Sequence, residues 1–245
     1  MSVPALLRPL LPESVVVVEC RGDVDAPLFP QERAYLEGAS AKRRAEFTTV
    51  RHCAGQALAE LDRTRPAMVP GPRGEPTWPD DVVGSMTHCE GYRAAAVALA
   101  HTADALGIDA EPNRPLPAGV LSRIASPAEA ARLHSLARQL PDVAVGRLLF
   151  SIKESIYKAW PAGAGSVPGF VDVEVAIRLD GGFTARLRAR VDEAAPAAGA
   201  GAPRGAGLGG EADWKLAGRW GAEDDLLVTA VMVAGSPSPQ RPTPN

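Results

Sequence analysis

The residues able to do chemistry fall in three short stretches. In Gly107-Ile108-Asp109-Ala110-Glu111-Pro112 two carboxylates stand two residues apart. On a strand such residues share a face, so Asp109 and Glu111 project together while Ile108 and Ala110 face the core. Two like charges held close need a cation, a proton or an arginine to neutralise them. A hard divalent cation is an economical partner, because Mg²⁺ takes one or two carboxylates together with substrate phosphates. The same pair also reads as two solvated acids at a strand end. In Phe150-Ser151-Ile152-Lys153-Glu154-Ser155-Ile156-Tyr157-Lys158-Ala159-Trp160, Glu154 and Lys158 are four apart and share one helix face, with Ile152, Ile156 and Trp160 packing the other way. Glu154 would complete a metal site and Lys158 would reach a phosphate bound there; alone, the pair also reads as a surface i,i+4 ion pair. The third stretch is Gly84-Ser85-Met86-Thr87-His88. Its imidazole, two hydroxyls and the upstream Arg73 suit an anion, although a single histidine before an apolar strand also reads as a structural imidazole. The chain has no GxxxxGK[ST], no HExxH and no nucleophile elbow, so P-loop, zincin and α/β-hydrolase chemistries are not indicated.

These residues need a scaffold, and the composition supplies one. The chain has 245 residues, 46% hydrophobic and 22% charged, which excludes wholesale disorder and allows one large domain or two small ones. Lys and Arg number 26 against 29 Asp and Glu, a net charge of −3, so the basic excess of a nucleic-acid binder is absent. Cys20, Cys53 and Cys89 form no CxxC pair and are odd in number, which supports neither a disulfide framework nor a zinc ribbon and predicts reduced, buried thiols. No run of 18 apolar residues predicts a membrane span. Residues 1–11 lack the apolar core and cleavage site of a signal peptide, so a cytoplasmic protein is expected.

Along the chain, the β-branched run at 15–18 predicts a buried strand, and Phe47, Val50, Ala54, Leu58 and Leu61 recur at helical steps within a helix over 32–62. Its other side carries Lys42, Arg43, Arg44 and Arg51, a local basic cluster. Residues 70–79 read as a rigid Gly/Pro loop around Trp78, followed by strands at 94–100 and 106–110 and a boundary between halves near 101–104. Ser126-Pro127-Ala128-Glu129 is a capping box for a helix reaching about Gln139, and Asp142 is placed to cap a second helix. Strands are expected at 171–177, 183–190 and 226–233, a flexible Ala/Gly/Pro insertion at 194–210, and a loose tail at 236–245. The fold class is α+β, helices plus antiparallel strands in each half, with no internal repeat visible in the residues.

Taken in order and spacing, these segments resemble the 4′-phosphopantetheinyl transferases of the long, monomeric type that activates peptide and polyketide synthases, with the enterobactin-synthetase-activating branch as the nearest likeness. Gly84 to His88 is similar to that family's Gly-Ser-x-[ST]-His motif, Gly107 to Glu111 to its Gly-[IV]-Asp-x-Glu, and Phe150 to Lys158 to its Phe-Ser-x-Lys-Glu-[SA]-x-x-Lys. The Arg73 to Pro79 loop resembles its Arg, Pro and Trp-Pro loop, and Arg44, Glu46, Phe47, Arg51, Cys53 and Ala54 its Arg…Glu-Phe…Arg…Cys-Ala helix. The resemblance implies two similar α/β subdomains in a pseudo-twofold arrangement, residues 1–103 and 104–233 with a tail at 234–245, and an active site in the cleft between them.

It also implies transfer of the phosphopantetheine arm of coenzyme A to a serine of an acyl or peptidyl carrier protein of a polyketide, peptide or fatty-acid synthase, with release of 3′,5′-ADP. On that reading Asp109, Glu111 and Glu154 hold Mg²⁺ (or Mn²⁺), and Glu154 or a water is the base. His88 and Thr87 contact the 3′-phosphate, Arg44, Arg51 and Arg73 surround the adenosine and that phosphate, and Lys158 meets the pyrophosphate. Two alternatives share the residues: a non-catalytic carrier-binding relative and a Mg²⁺-dependent nucleotide phosphohydrolase. An acidic carrier would need a basic face, for which Arg123, Arg132, Arg138 and Arg147, interleaved with Leu121, Ile124 and Leu133, are the candidates.

Overall fold

The protein forms two antiparallel sheets, each covered by a helix. The computed structural model describes residues 5–72, 74–160, 169–190 and 211–235. The expected insertion at 194–210 and the tail at 236–245 lie outside them, as does Arg73.

The first sheet has three strands in the order β1 (Val16–Arg21), β3 (Tyr92–Leu99), β2 (Val82–Cys89), with α1 (Pro30–Tyr35) and α2 (Ala41–Glu60) between β1 and β2 in the chain. The second has five, in the order β4 (Ala103–Pro112), β8 (Leu226–Ala234), β7 (Glu211–Glu223), β6 (Gly182–Arg190), β5 (Val173–Ile177). Between β4 and β5 run α3 (Leu121–Ile124), α4 (Pro127–Gln139) and α5 (Val145–Lys158). Helix α2 packs on β1 and β3, and α5 packs on β4 and β8.

Strand β3 explains its own composition. Residues 94–98 are buried on both faces. Ala94, Ala96 and Ala98 pack into a core shared with β4 and β8, while Ala95 and Val97 face the α2 side. Small side chains let three layers approach. The two sheets meet where β2 lies against β4. Strand β4 is an edge strand whose only ladder partner among the described residues is β8, so its outward N–H groups need other acceptors. Side chains of β2 provide them: Ile108 N donates to Ser85 Oγ at 3.1 Å and Ala110 N to Thr87 Oγ1 at 3.0 Å. Two residues on, β4 carries Pro112, which has no N–H to satisfy, and β2 carries Cys89 in place of a hydroxyl.

Helix α5 lies directly on β4. A Cβ added to Gly107 would stand 1.9 Å from the carbonyl oxygen of Ser155, so only glycine admits the helix backbone there. The far side of α5 is anchored by Lys153, which is 1% exposed at its side chain and donates to Glu129 Oε2 and to the carbonyls of Ile124 and Phe170. The capping box at Ser126 forms as expected, with Glu129 N donating to Ser126 Oγ and Ser126 N to Glu129 Oε2. The same glutamate therefore caps α4 and holds α5.

The structure differs from the sequence expectations at several points. The helix expected over 32–62 is two helices, broken at Gly38 (φ +77°), with Ser40 capping α2 by accepting from Arg43 N. The Gly84–His88 stretch is itself a strand, because Ser85 and Thr87 serve the neighbouring sheet edge. Asp142 does not cap α5; Asn113 Oδ1 accepts from Ala144 N, while Asn113 Nδ2 donates to the carbonyl of Asp142. Strand β7 was not expected, since its apolar positions are spaced by glycine, alanine and charge. Of the thiols only Cys53 is buried; Cys20 and Cys89 are half-buried, and all three are free. Among the described residues no helix is long and apolar enough to cross a membrane.

Candidate active site

A cavity of about 330 Å³ opens between α2, the loop before β2, β2 itself and the last turns of α5. Arg43, Glu46, Phe47 and Arg51 line it from α2, Ser85, Met86 and His88 from β2, and Glu154, Tyr157 and Lys158 from α5. Alternation along β2 divides its residues. Met86 and His88 turn toward α2, while Ser85 and Thr87 turn toward β4. A Cβ on Gly84 would stand 2.7 Å from the Trp78 ring, so that loop is seated on β2 by its tryptophan.

Around His88 stands a basic group. His88 Nε2 lies 3.3 Å from Arg43 Nη1 and 3.6 Å from Glu46 Oε2, with its side chain 38% exposed. Burial against the cavity wall pushes the imidazole below its usual pKa, with Arg43 and Lys158 adding to the effect and Glu46 opposing it. The free ring is therefore neutral near neutral pH, and an anion would favour its protonation. Arg51 lies 3.2 Å over the Phe47 ring and donates twice to the carbonyl of Met68, whose N–H in turn is held by the buried Glu32.

Lys158 joins the cavity wall to the carboxylates. Asp109 is buried; its Oδ1 accepts from Lys158 Nζ at 2.7 Å and from Thr87 Oγ1 at 3.3 Å. Its Oδ2 is buried with no partner. Glu111 Oε2 accepts from Arg147 Nη1 at 2.9 Å. Burial first, then the charge of Asp109, holds the Glu111 carboxyl above the usual carboxylate range, against the pull of Arg147. The same two causes raise Glu154, against the pull of Lys158. Among the described residues no three His, Cys, Asp or Glu side chains are gathered closely enough to form a metal centre as they stand. The donor set nonetheless fits a hard cation. It consists of carboxylate oxygens, one of them buried and unpartnered, and the charge of Asp109 weighs on both Glu111 and Glu154, which a divalent ion would relieve.

The cavity thus brings together Arg51, His88, Glu154 and Lys158, with Asp109 beneath Lys158 and Glu111 beside Asp109. Thr87 is buried below the cavity and bonded to Asp109. Arg44 is exposed and does not line the cavity; Arg43 does, because it shares a helix face with Phe47 and Val50. Helical phase from Phe47 was the signal for it. Glu46 and Tyr157 also line the cavity and went unnoticed as site residues. The expected basic docking face changes as well. Arg147 is committed to Glu111 and to the carbonyls of Arg114 and Pro115, Arg132 pairs with Glu174, and Ile124 and Leu133 are buried.

The comparisons with known proteins agree on a family. The model of the 4′-phosphopantetheinyl transferase N-terminal domain matches residues 31–98, and that of the 4′-phosphopantetheinyl transferase superfamily matches residues 105–208. The chain is 46% identical to the 4′-phosphopantetheinyl transferase Svp of Streptomyces mobaraensis over 94% of this chain and 89% of the relative. It is 38% identical to the 4′-phosphopantetheinyl transferase PptT of Mycobacterium tuberculosis over 95% of this chain and 100% of the relative. Enterobactin synthase component D of Salmonella typhimurium is more distant, at 35% over 57% of each chain. Matched along nearly its whole length at this level of identity, the chain belongs to the 4′-phosphopantetheinyl transferase family.

Proposed function

We propose that this transferase moves the 4′-phosphopantetheine moiety of coenzyme A to a serine hydroxyl of an apo acyl or peptidyl carrier protein, in a Mg²⁺-dependent reaction that releases 3′,5′-ADP. The observation that carries the reading is the pairing of Lys158, which lines the cavity together with His88 and Arg43, with Asp109 beside an unpartnered buried carboxylate oxygen. The basic group around His88 suits a phosphate monoester, and the carboxylates with Lys158 would suit a divalent cation and a pyrophosphate.

Asp109, Glu111 and Glu154 would hold the cation. When bound, it would neutralise pyrophosphate charge and the charge that develops on the departing ADP. The serine oxygen forms a bond to the phosphorus that carries pantetheine, and the bond from that phosphorus to the bridging oxygen of ADP breaks. Glu154 or a water would take the serine proton. The Lys158 ammonium stabilises the leaving oxygen as a positioned cation. His88 and Arg43 bind the 3′-phosphate, and Arg51 with Phe47 forms the adenosine wall.

Release of 3′,5′-ADP tests the reading: it should require both apo-carrier and divalent cation. Appearance without carrier would instead favour a phosphohydrolase. The basic group around His88 has its own test. His88→Ala should weaken coenzyme A binding about tenfold or more, the worth of one charge-assisted hydrogen bond, and leave dephospho-coenzyme A nearly unaffected in calorimetric titration. Equal losses for the two ligands would make His88 a structural residue.

A further inference from the structure

We propose that Thr87 is a positioning residue that orients Asp109 and Lys158, and that it makes no contact with the 3′-phosphate. The inference rests on the assignment of Asp109 to the cation. Thr87 lies on the face of β2 turned away from His88 and is 2% exposed. A threonine hydroxyl has one proton to donate and two lone pairs to accept with. All three are used here. Ala110 N donates to Oγ1 at 3.0 Å, Lys158 Nζ donates to it at 3.3 Å, and the hydroxyl donates to Asp109 Oδ1 at 3.3 Å. Nothing is left for a phosphate.

The consequence lies in the asymmetry of the carboxylate. Oδ1 accepts from both Thr87 and Lys158, while Oδ2 is buried and unpartnered. Two donors on one oxygen fix the plane of the group and leave the other oxygen for a cation. The backbone bond to Ala110 fixes the hydroxyl itself, because that N–H sits on the strand bearing both Asp109 and Glu111. Strand β2 thus sets the carboxylate through a hydroxyl that also closes the edge of the second sheet. Ser85, two residues earlier, performs only the edge-closing half of this task, on Ile108 N.

The test measures Mn²⁺ affinity of the full-length protein by electron paramagnetic resonance, together with the affinities for coenzyme A and dephospho-coenzyme A. Thr87→Val should lower Mn²⁺ affinity about tenfold or more, the usual effect of removing a group that orients a metal ligand. It should leave the ratio of the two nucleotide affinities as in the wild type. Thr87→Ser, which keeps the hydroxyl, should restore the Mn²⁺ affinity. Should the valine variant fail to fold because Ala110 N loses its acceptor, Thr87→Ala leaves room for a water there and should show the same loss of Mn²⁺ affinity. Wild-type Mn²⁺ affinity in the folded valine or alanine variant overturns the proposal, as does loss of discrimination between the two nucleotides. Asp109→Asn separates the two levels. If it loses Mn²⁺ while the Thr87 variants keep it, positioning alone is refuted; if it also keeps Mn²⁺, the cation assignment falls and the proposal with it.

Discussion

Asp109→Ala is expected to abolish transfer while the protein remains folded. The substitution removes the unpartnered Oδ2 and the anion that fixes Lys158. A fall in kcat of about 10³-fold or more is expected for the loss of a group that acts on transition-state charge. Deleting one partner of a buried ion pair ordinarily destabilises strongly. Here the Lys158 side chain is 28% exposed and borders the cavity, so its ammonium regains water when Asp109 is gone. Thermal unfolding should therefore remain a single transition close to that of the wild type. Turnover within tenfold of wild type at ordinary Mg²⁺ would remove Asp109 from the centre of the site.

Gly107→Ala is expected to have the next largest effect, although it adds a single methyl group. That methyl would stand 1.9 Å from Ser155 O, 2.8 Å from Ala159 N and 3.0 Å from Ala159 Cβ. Two of these are backbone atoms, which cannot rotate away, so α5 must shift on β4. Ser155 follows Glu154 and Ala159 follows Lys158 in the chain, so the shift carries both away from Asp109 and Glu111. Overpacking a core costs about 1–3 kcal/mol and at times more, which lowers Tm by roughly 2–4 °C per kcal/mol in a chain of this size. A misplacement of about 1 Å at a reacting centre can cost 10²-fold in rate. Both losses should appear together in melting curves and in kcat. A variant with wild-type Tm and kcat would show that α5 is not seated on Gly107.

What the sequence made legible follows from how local each signal is. The capping box at Ser126 and the shared face of Glu154 and Lys158 depend on residues three and four apart, and these formed as expected. So did the α+β class, and the family was readable because its motifs recur in order. Three things were not legible. The substitution of Asn113 for Asp142 at the start of α5 depends on a contact 31 residues away in the chain. The choice of Arg43 over Arg44 required the helix phase to be carried back from Phe47, across a cluster in which three consecutive residues are basic. The orientation of Thr87 depends on β2 being a strand against a foreign sheet edge, which no pattern within residues 84–88 reveals. Glycines 84 and 107 stood in the motifs without a reason until the Trp78 ring and the α5 backbone were seen against them.

The most direct test of the central claim is the intact mass of an apo carrier protein incubated with the enzyme, coenzyme A and Mg²⁺. The carrier should gain the mass of one phosphopantetheine. No gain is expected when the acceptor serine is replaced by alanine, when a chelator removes the cation, or when the enzyme carries Asp109→Ala. A carrier of unchanged mass, alongside coenzyme A consumed at the same rate with and without it, would overturn the assignment of carrier-directed transfer.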